Sequence, residues 1–524
     1  MNKDDAVDLA VEVLLREGCS DITREELEIS LISQFRDDFK KEVIAKLNRN
    51  SIHEMDFRSI QHILTPKNRY VFDYRKAAII TPSCAAKFLS IVFQYAHLVE
   101  KARVPIEKQV VFSYRFKPDS NGVFDRNVGY SQWREETKRR SLLPSVEYIV
   151  SCDIAGFYDR VNIHRIQSTL TSIGVAAPLV RQTDDLLLFW SKKDSYGIPV
   201  GNVASRILAE AALIDIDEYL ISEKISFTRY VDDYRLFAPN LLIAQEWMNR
   251  LTTRLFRDGL MLNTGKTEIR RVIPEEVSKD KAEIEAHEES AETVLKVITK
   301  LVGGYNRIAK KFVMPAEDKH KRFMGIDLGS EIKIIQSQPI VEFDGVQKVV
   351  VAALVQKKFD SLIHVAKICG QYLYGMDYFI DMLLQNELFI PERERQEIAD
   401  FYHELIDGGH LYAFEWHTAS VAKLLSHPSY FRKEALLKIF KMPGKDVSTY
   451  ASAIALEGLK GKINRTEFRT IREYFDRSDE WEKRRLLHLA DALPDEERKA
   501  WVKAIKATVA GDFLATQLCQ VLMK

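Results

Sequence analysis

The sequence predicts an α+β core followed by an all-α C-terminal region, and three observations carry that prediction. Arg229-Tyr230-Val231-Asp232-Asp233-Tyr234-Arg235-Leu236-Phe237 sets β-branched and aromatic residues on both sides of two adjacent aspartates. That is the composition of two strands joined by a tight turn, with carboxylates at the tip. The apolar run Val146-Glu147-Tyr148-Ile149-Val150 leads through Ser151-Cys152 to Asp153, which places another carboxylate at the C-terminal end of a buried strand. From about Val350 the pattern changes to short amphipathic stretches parted by His427-Pro428-Ser429, Met442-Pro443-Gly444 and Leu493-Pro494-Asp495, breakers that end helices.

At 524 residues the chain is too long for one typical domain. Four segments are expected: an N-terminal helical segment over 1–65, the α+β core over 66–275, a connector with a hairpin over 276–349, and a helical domain over 350–524. In the first, Asp4 to Leu15 has helical spacing, and Thr23 with Glu26 forms a capping box before an amphipathic run through Ile44. Tyr70 to Ile80 reads as two short strands, followed by a helix from Pro82 to Lys101. Gly197-Ile198-Pro199-Val200-Gly201 is a loop running straight into a helix, of the kind that lets backbone approach a ligand closely.

Beyond the core, Glu275 to Glu292 is rich in Glu, Lys and Ala and reads as a solvated helix or connector. Ile332 to Val351 alternates around Phe343-Asp344-Gly345 and reads as a hairpin. The helical stretches that follow are Val351 to Leu384, Glu392 to Ile406, Arg432 to Lys441, Val447 to Leu459, Thr466 to Phe475, Glu480 to Leu489, Glu496 to Val509 and Phe513 to Met523. Short helices with short links imply antiparallel pairs, hence a HEAT-like solenoid.

Lys plus Arg equals Asp plus Glu at 76 each, a formal charge of zero. A protein that grips a long duplex through its phosphates is ordinarily basic, so any nucleic-acid contact must be local. No apolar run has transmembrane length and the start Met1-Asn2-Lys3-Asp4-Asp5 is acidic, so a cytoplasmic protein without a membrane partner is expected. Cys19, Cys84, Cys152, Cys369 and Cys519 are widely spaced, which suggests buried thiols rather than zinc ligands or disulfides.

Asp153-x-x-x-Phe157-Tyr158, then Gly197-Ile198-Pro199-x-Gly201-x-x-x-Ser205, then Tyr230-Val231-Asp232-Asp233 resembles motifs A, B and C of the reverse transcriptase palm. Asp258-Gly259-Leu260-Met261-Leu262-Asn263-Thr264-Gly265-Lys266 resembles motif D. Val111-Phe112-Ser113-Tyr114-Arg115 and Gln132-Trp133 resemble the fingers of bacterial reverse transcriptases. The variant Ile-Pro-Val-Gly followed by Ser205-Arg206-Ile207-Leu208-Ala209-Glu210 resembles the defence-associated, abortive-infection branch of that family. The implied fold is a fingers-palm core followed by the helical domain.

The resemblance implies that Asp153 and Asp232 are the principal metal ligands, with Asp233 supporting and the Ile154 carbonyl as a backbone ligand. Two Mg²⁺ ions, or Mn²⁺ in their place, would activate a primer hydroxyl and stabilise the leaving pyrophosphate. Lys266 takes the place of the general acid. Tyr158 falls on the steric-gate position, and with Phe157, Gly201 and Ser205 it is a nucleotide-binding candidate. Arg75, Lys76 and Arg115 are candidates for holding the triphosphate of a dNTP.

Val200 stands where many retroviral and intron-type enzymes carry a glutamine that supports the incoming nucleotide or template. With the neutral charge, this favours protein-primed, template-independent synthesis, giving a single-stranded DNA product covalently attached to protein. The branch resemblance further implies phage defence, a homo-oligomer and a phage-protein trigger. A conventional RNA-templated reverse transcriptase is the alternative, and a retired palm serving as scaffold or sensor is another. The tyrosines Tyr372, Tyr374, Tyr378, Tyr402, Tyr412, Tyr430 and Tyr450 read as core or interface aromatics; one of them would supply the priming hydroxyl of a protein-primed polymerase, and the sequence does not pick out which. His403, His410 and His417 recur at intervals of seven, but Gly408-Gly409 breaks the helix that would align them as metal ligands.

Overall fold

The computed structural model describes residues 1–20, 22–23, 25–67, 73–120, 122–273, 317–441 and 449–524. They fall into two compact units, the first holding residues 1–62 and 77–273, the second 63–76 and 317–524.

The first unit begins with helices α1 Lys3–Glu17, α2 Glu26–Gln34 and α3 Arg36–Leu47. α1 buries Ala6, Val7, Ala10, Val11 and Leu14, one helical stripe, and the Asn2 side chain caps it by accepting from Asp5 N at 2.8 Å. The expected capping box does not form. Glu25, not Thr23, precedes α2 and makes no side-chain cap. The Thr23 hydroxyl lies in the core instead, with no hydrogen-bond partner among the described residues.

Strands β1 Gln61–Pro66 and β2 Tyr74–Ile79 form a two-stranded sheet. The helix expected from Pro82 to Lys101 is two, α4 Pro82–Phe93 and α5 Ala96–Ala102. They part at Tyr95, which is buried with its hydroxyl hydrogen bonded to that of Thr183 at 2.9 Å. A small hairpin, β3 Phe116–Asp119 and β4 Gly122–Phe124, leads to α6 Tyr130–Ser141.

The central sheet is antiparallel, in the order β6-β7-β5-β8, with β5 Tyr148–Asp153, β6 Phe227–Tyr230, β7 Asp233–Ala238 and β8 Glu268–Arg271. The helical turn α7 Phe157–Arg160 follows β5, and α8 Ile163–Ser172, α9 Ala177–Trp190, α10 Val203–Ser222 and α11 Leu241–Arg257 complete the unit. α11 packs on β5 and β7, and α10 on α4, α5 and α8. The 20-residue α10 buries residues all round its circumference, as a helix at the centre of a core must.

The second unit is helical apart from its part of the β1–β2 sheet. The hairpin expected over Ile332 to Val351 is absent: helices Leu328–Ser337 and Phe343–Gln356 stand there. Val346, Gln347 and every residue from Val349 to Val355 are buried in the second, a continuous run whose periodicity does not tell a sunken helix from a strand. Asp327 caps the first helix through Gly329 N and Ser330 N, and the Gln356 amide donates to the carbonyls of Phe323 and Ile326 at 2.6 and 2.8 Å. The stretch Val351 to Leu384 is likewise split, into the end of Phe343–Gln356, then Ser361–Gln371 and Met376–Gln385. Lys357, at φ 57°, ends the first of these.

Helices Glu392–Asp407, Lys433–Phe440, Tyr450–Gly458, Arg465–Ile471, Glu480–His488, Asp495–Ile505 and Phe513–Met523 lie where the pattern put them, and Glu415–Ser426 was not foreseen. Glu415–Ser426 packs on Tyr450–Gly458, that helix on Glu480–His488, and that one on Phe513–Met523. The stretch Glu275 to Glu292 and the breaker Met442-Pro443-Gly444 lie outside the described residues. His403, His410 and His417 fall on three different elements. All five cysteines are buried free thiols.

Candidate carboxylate site

Two sequence segments meet at the end of the central sheet. β5 ends on Asp153 and β7 begins on Asp233, and the two are register partners across the antiparallel pair. Between Tyr230 and Asp233 the chain reverses through Val231 and Asp232. Val231 has a φ of 56°, the left-handed region that a hairpin turn usually gives to glycine and that a β-branched residue rarely enters. The Asp232 carbonyl accepts from Ile154 N at 3.2 Å, so the turn is stitched to the residue after Asp153.

On the other side of β5, Asn263 N donates to the Asp153 carbonyl at 2.7 Å, and the Asn263 amide to Asp153 Oδ2 at 3.1 Å. Lys266 Nζ lies 3.2 Å from Asp153 Oδ1. Asp153 is buried while the Lys266 side chain is half in solvent. Arg235 approaches Asp233 at 3.5 Å. Asn263 and Arg235 were not picked out from sequence, although both sit within the motifs that were.

Burial, with the neighbouring charges of Asp153 and Asp233, pushes Asp232 up to about 7, against the pull of its own backbone N–H and Lys266. Burial also raises Asp233, opposed by Arg235 and reinforced by Asp153. Like charges held this close are relieved by a cation or a shared proton. The donors are all carboxylate and carbonyl oxygens, which suits hard divalent cations. The charge and donor chemistry therefore fit a metal, although no three His, Cys, Asp or Glu side chains among the described residues converge on one point. Lys266 instead shares Asp153 with Asn263.

Beneath the turn lies a buried ionic network. Glu210 and Asp217, seven residues apart on α10, face the same way. Arg229 Nε and Nη2 donate to Asp217 at 2.9 and 2.5 Å, Nη2 also to Glu210 at 3.0 Å, and Nη1 to the Val231 carbonyl at 2.9 Å. Arg103 and the Ser113 hydroxyl also bond Glu210. Burial opposes ionisation of Glu210, but Arg103 and Arg229 outweigh it and hold its carboxyl below the usual range. Burial likewise works against the charge on Arg229, and Asp217 and Glu210 overcome it. Glu210, set in the apolar run from Ile207 to Ile214, was the available sequence signal, since such charges are rarely buried unless paired.

The other expected residues are distributed as follows. Tyr158 is buried, its carbonyl accepting from Ile198 N of the Gly/Pro loop at 2.9 Å, and its ring meets that of Phe157 edge-on at 5.7 Å. Gly201 has a φ of 107°. Asn202 then caps α10 and donates to the Cys19 carbonyl. Ser205 is buried with its hydroxyl unpartnered among the described residues. Val200 is buried, and its carbonyl accepts from Ala78 N at 3.2 Å.

Arg115 corrects an expectation. It is 1% exposed, with Nε, Nη1 and Nη2 donating to Val111 O, Glu100 and Val104 O. A guanidinium consumed this way braces the core and is out of reach of a triphosphate. Arg75 and Lys76 belong to the second unit.

The family model described as reverse transcriptase (RNA-dependent DNA polymerase) matches residues 51–328, just over half of the chain. No curated protein matches the chain. Among solved structures, the apo telomerase from Candida tropicalis truncated from its C-terminal domain is 15% identical, at a TM-score of 0.30, over 41% of this chain and 50% of that one. The telomerase from Candida albicans in complex with a TWJ fragment of telomeric RNA is 11% identical, at 0.30, over 69% and 66%. The chain thus spans about half and two thirds of those relatives.

Proposed function

From the premise that this chain belongs to the reverse transcriptase family, we propose that it is a DNA polymerase that joins dNTPs at Asp153, Asp232 and Asp233. The observation that carries this reading is the pairing of Asp153 with Asp233 as register partners across β5 and β7, with Asp232 in the adjoining turn raised to about 7 by burial and by both of their charges. Two divalent cations, Mg²⁺ or Mn²⁺, would supply Lewis acidity at the attacking hydroxyl and the leaving pyrophosphate. The chain's own part is to hold the ligands and to move a proton. Lys266 Nζ, beside Asp153 and open to solvent, is the group to protonate the leaving pyrophosphate. Tyr158 and Phe157 wall the deoxyribose side, and Gly201 brings the loop backbone toward the nucleotide, with Ser205 behind it in the first turn of α10.

Within the family the reading is of a defence-associated enzyme directed against phage, protein-primed and template-independent. Its support is Val200, an apolar side chain buried where a template-reading glutamine would stand, together with the neutral charge. Tyr374, Tyr402 and Tyr430 are buried core residues, and burial raises all three phenols, so none is a primer in this conformation. The successive packing of helices in the second unit supports a HEAT-like stack, a surface suited to a homo-oligomer or to sensing a phage protein.

The test is incubation with Mg²⁺ and labelled dNTPs, without template or primer, beside Asp232→Ala, with the product then digested by protease. Labelled DNA that enters a gel only after proteolysis, and is missing from the variant, is the expected result. Incorporation that requires added RNA and primer would select the templated enzyme instead. No incorporation under either condition would favour the scaffold.

A further inference from the structure

Arg229 occupies a place that its neighbours in sequence do not explain. It is fully buried, and its backbone is held twice by the segment before β3, with its N–H on the Val110 carbonyl at 2.7 Å and its carbonyl on Phe112 N at 3.0 Å. Its guanidinium crosses to Asp217 and Glu210 of α10 and donates one further bond, 2.9 Å long, to the carbonyl of Val231. Tyr234, its cross-strand partner, closes the ring by donating to Asp217 at 3.2 Å.

Val231 is the residue that needs such an anchor. At φ 56° a β-branched residue pays a steric cost of about 1–2 kcal/mol, and a backbone held there relaxes unless the surroundings over-determine it. The next residue is Asp232. A relaxed turn would swing that carboxylate away from Asp153 and break the bond from Ile154 N to the Asp232 carbonyl.

We propose that Arg229 is a positioning residue: braced by Asp217 and Glu210, it holds the Val231 carbonyl and so keeps the left-handed turn that sets Asp232 beside Asp153. The proposal rests on the reading of Asp232 as a metal ligand. Lysine cannot replace arginine here, because a single ammonium cannot span two carboxylates and a carbonyl in fixed directions. The strain and the clamp are two halves of one device, so relieving the first makes the second dispensable.

The experiment compares wild type, Arg229→Lys, Val231→Gly and the double variant. Mn²⁺ binding is titrated directly on nucleotide-free protein, thermal melting reports the fold, and kcat and KM for dNTP are measured separately. Arg229→Lys should weaken Mn²⁺ binding about tenfold, the usual scale for loss of a group that orients a ligand, and lower kcat with little change in KM. In the Val231→Gly background, where glycine adopts positive φ without cost, the same substitution should cost about twofold or less. Asp217→Asn, which keeps the shape and loosens the guanidinium, should reproduce the pattern if Arg229→Lys does not fold. Equal losses in both backgrounds, or folded Arg229→Lys protein with wild-type Mn²⁺ affinity, would overturn the proposal. Wild-type protein that binds no more Mn²⁺ than Asp232→Ala would overturn the metal-site reading itself and the proposal with it.

Discussion

Asp153 and Asp233 stand directly opposite each other across the β5–β7 pair, a placement that costs stability unless something else is gained. Like charges at directly opposed positions repel, and Asp232 in the adjoining turn adds to the repulsion.

The first consequence concerns pH. The folded protein holds the proton of Asp232 to about 7, whereas an unfolded aspartate releases it near 4. Between those values the folded state binds more protons, so stability falls as pH rises through the window and stays lower above it. Asp232→Asn mimics the protonated form. With a chelator present, urea unfolding should show the variant more stable than wild type at pH 8 by roughly 1–3 kcal/mol, with the gap closing toward pH 4. A constant gap across that range would contradict the electrostatic account.

Lys266 should separate stability from catalysis. Its bond to Asp153 is made from a half-exposed side chain, and such pairs contribute about 0–1 kcal/mol. Lys266→Gln should therefore melt within a few degrees of wild type. Loss of a general acid should lower kcat about a hundredfold, with a much smaller change in the KM for dNTP. An unchanged kcat would leave Lys266 a solvated neighbour.

Arg115 should behave in the opposite way. Its three bonds run to Glu100 and to two core carbonyls, and breaking a buried pair costs about 3–5 kcal/mol. Arg115→Met should lower the melting temperature markedly. In protein that remains folded, the dNTP KM should stay within about twofold of wild type. A large rise in KM at unchanged stability would return Arg115 to the triphosphate.

In the second unit the helices Glu415–Ser426 and Tyr450–Gly458 approach so closely at Gly458 that an added Cβ would overlap the Ser426 side chain. Gly458→Ala should destabilise by about 1–3 kcal/mol through overpacking. Ser426→Gly should recover much of that loss when combined with it. Chemical denaturation of the four proteins measures the coupling, and strictly additive effects would mean the helices do not meet there.

The carboxylates Asp153, Asp232 and Asp233, the strands that bear them and most of the later helices were legible in the sequence, because each depends on local rules. Alternation makes a strand, three-four spacing makes a helix, and two residues between strands make a turn. The same local rules misread Ile332 to Val351, where a helix buried nearly all round its C-terminal half has no stripe to show, and passed over Glu415–Ser426. What only tertiary structure decided is which charges go inside and whom they meet. Arg115 and Arg229 look alike in sequence to any exposed arginine, yet both are buried. Glu210 is bonded by Arg103, 107 positions away. No local pattern encodes such pairings, since burying a charge is favourable only when a complementary partner and its hydrogen bonds arrive from another part of the chain.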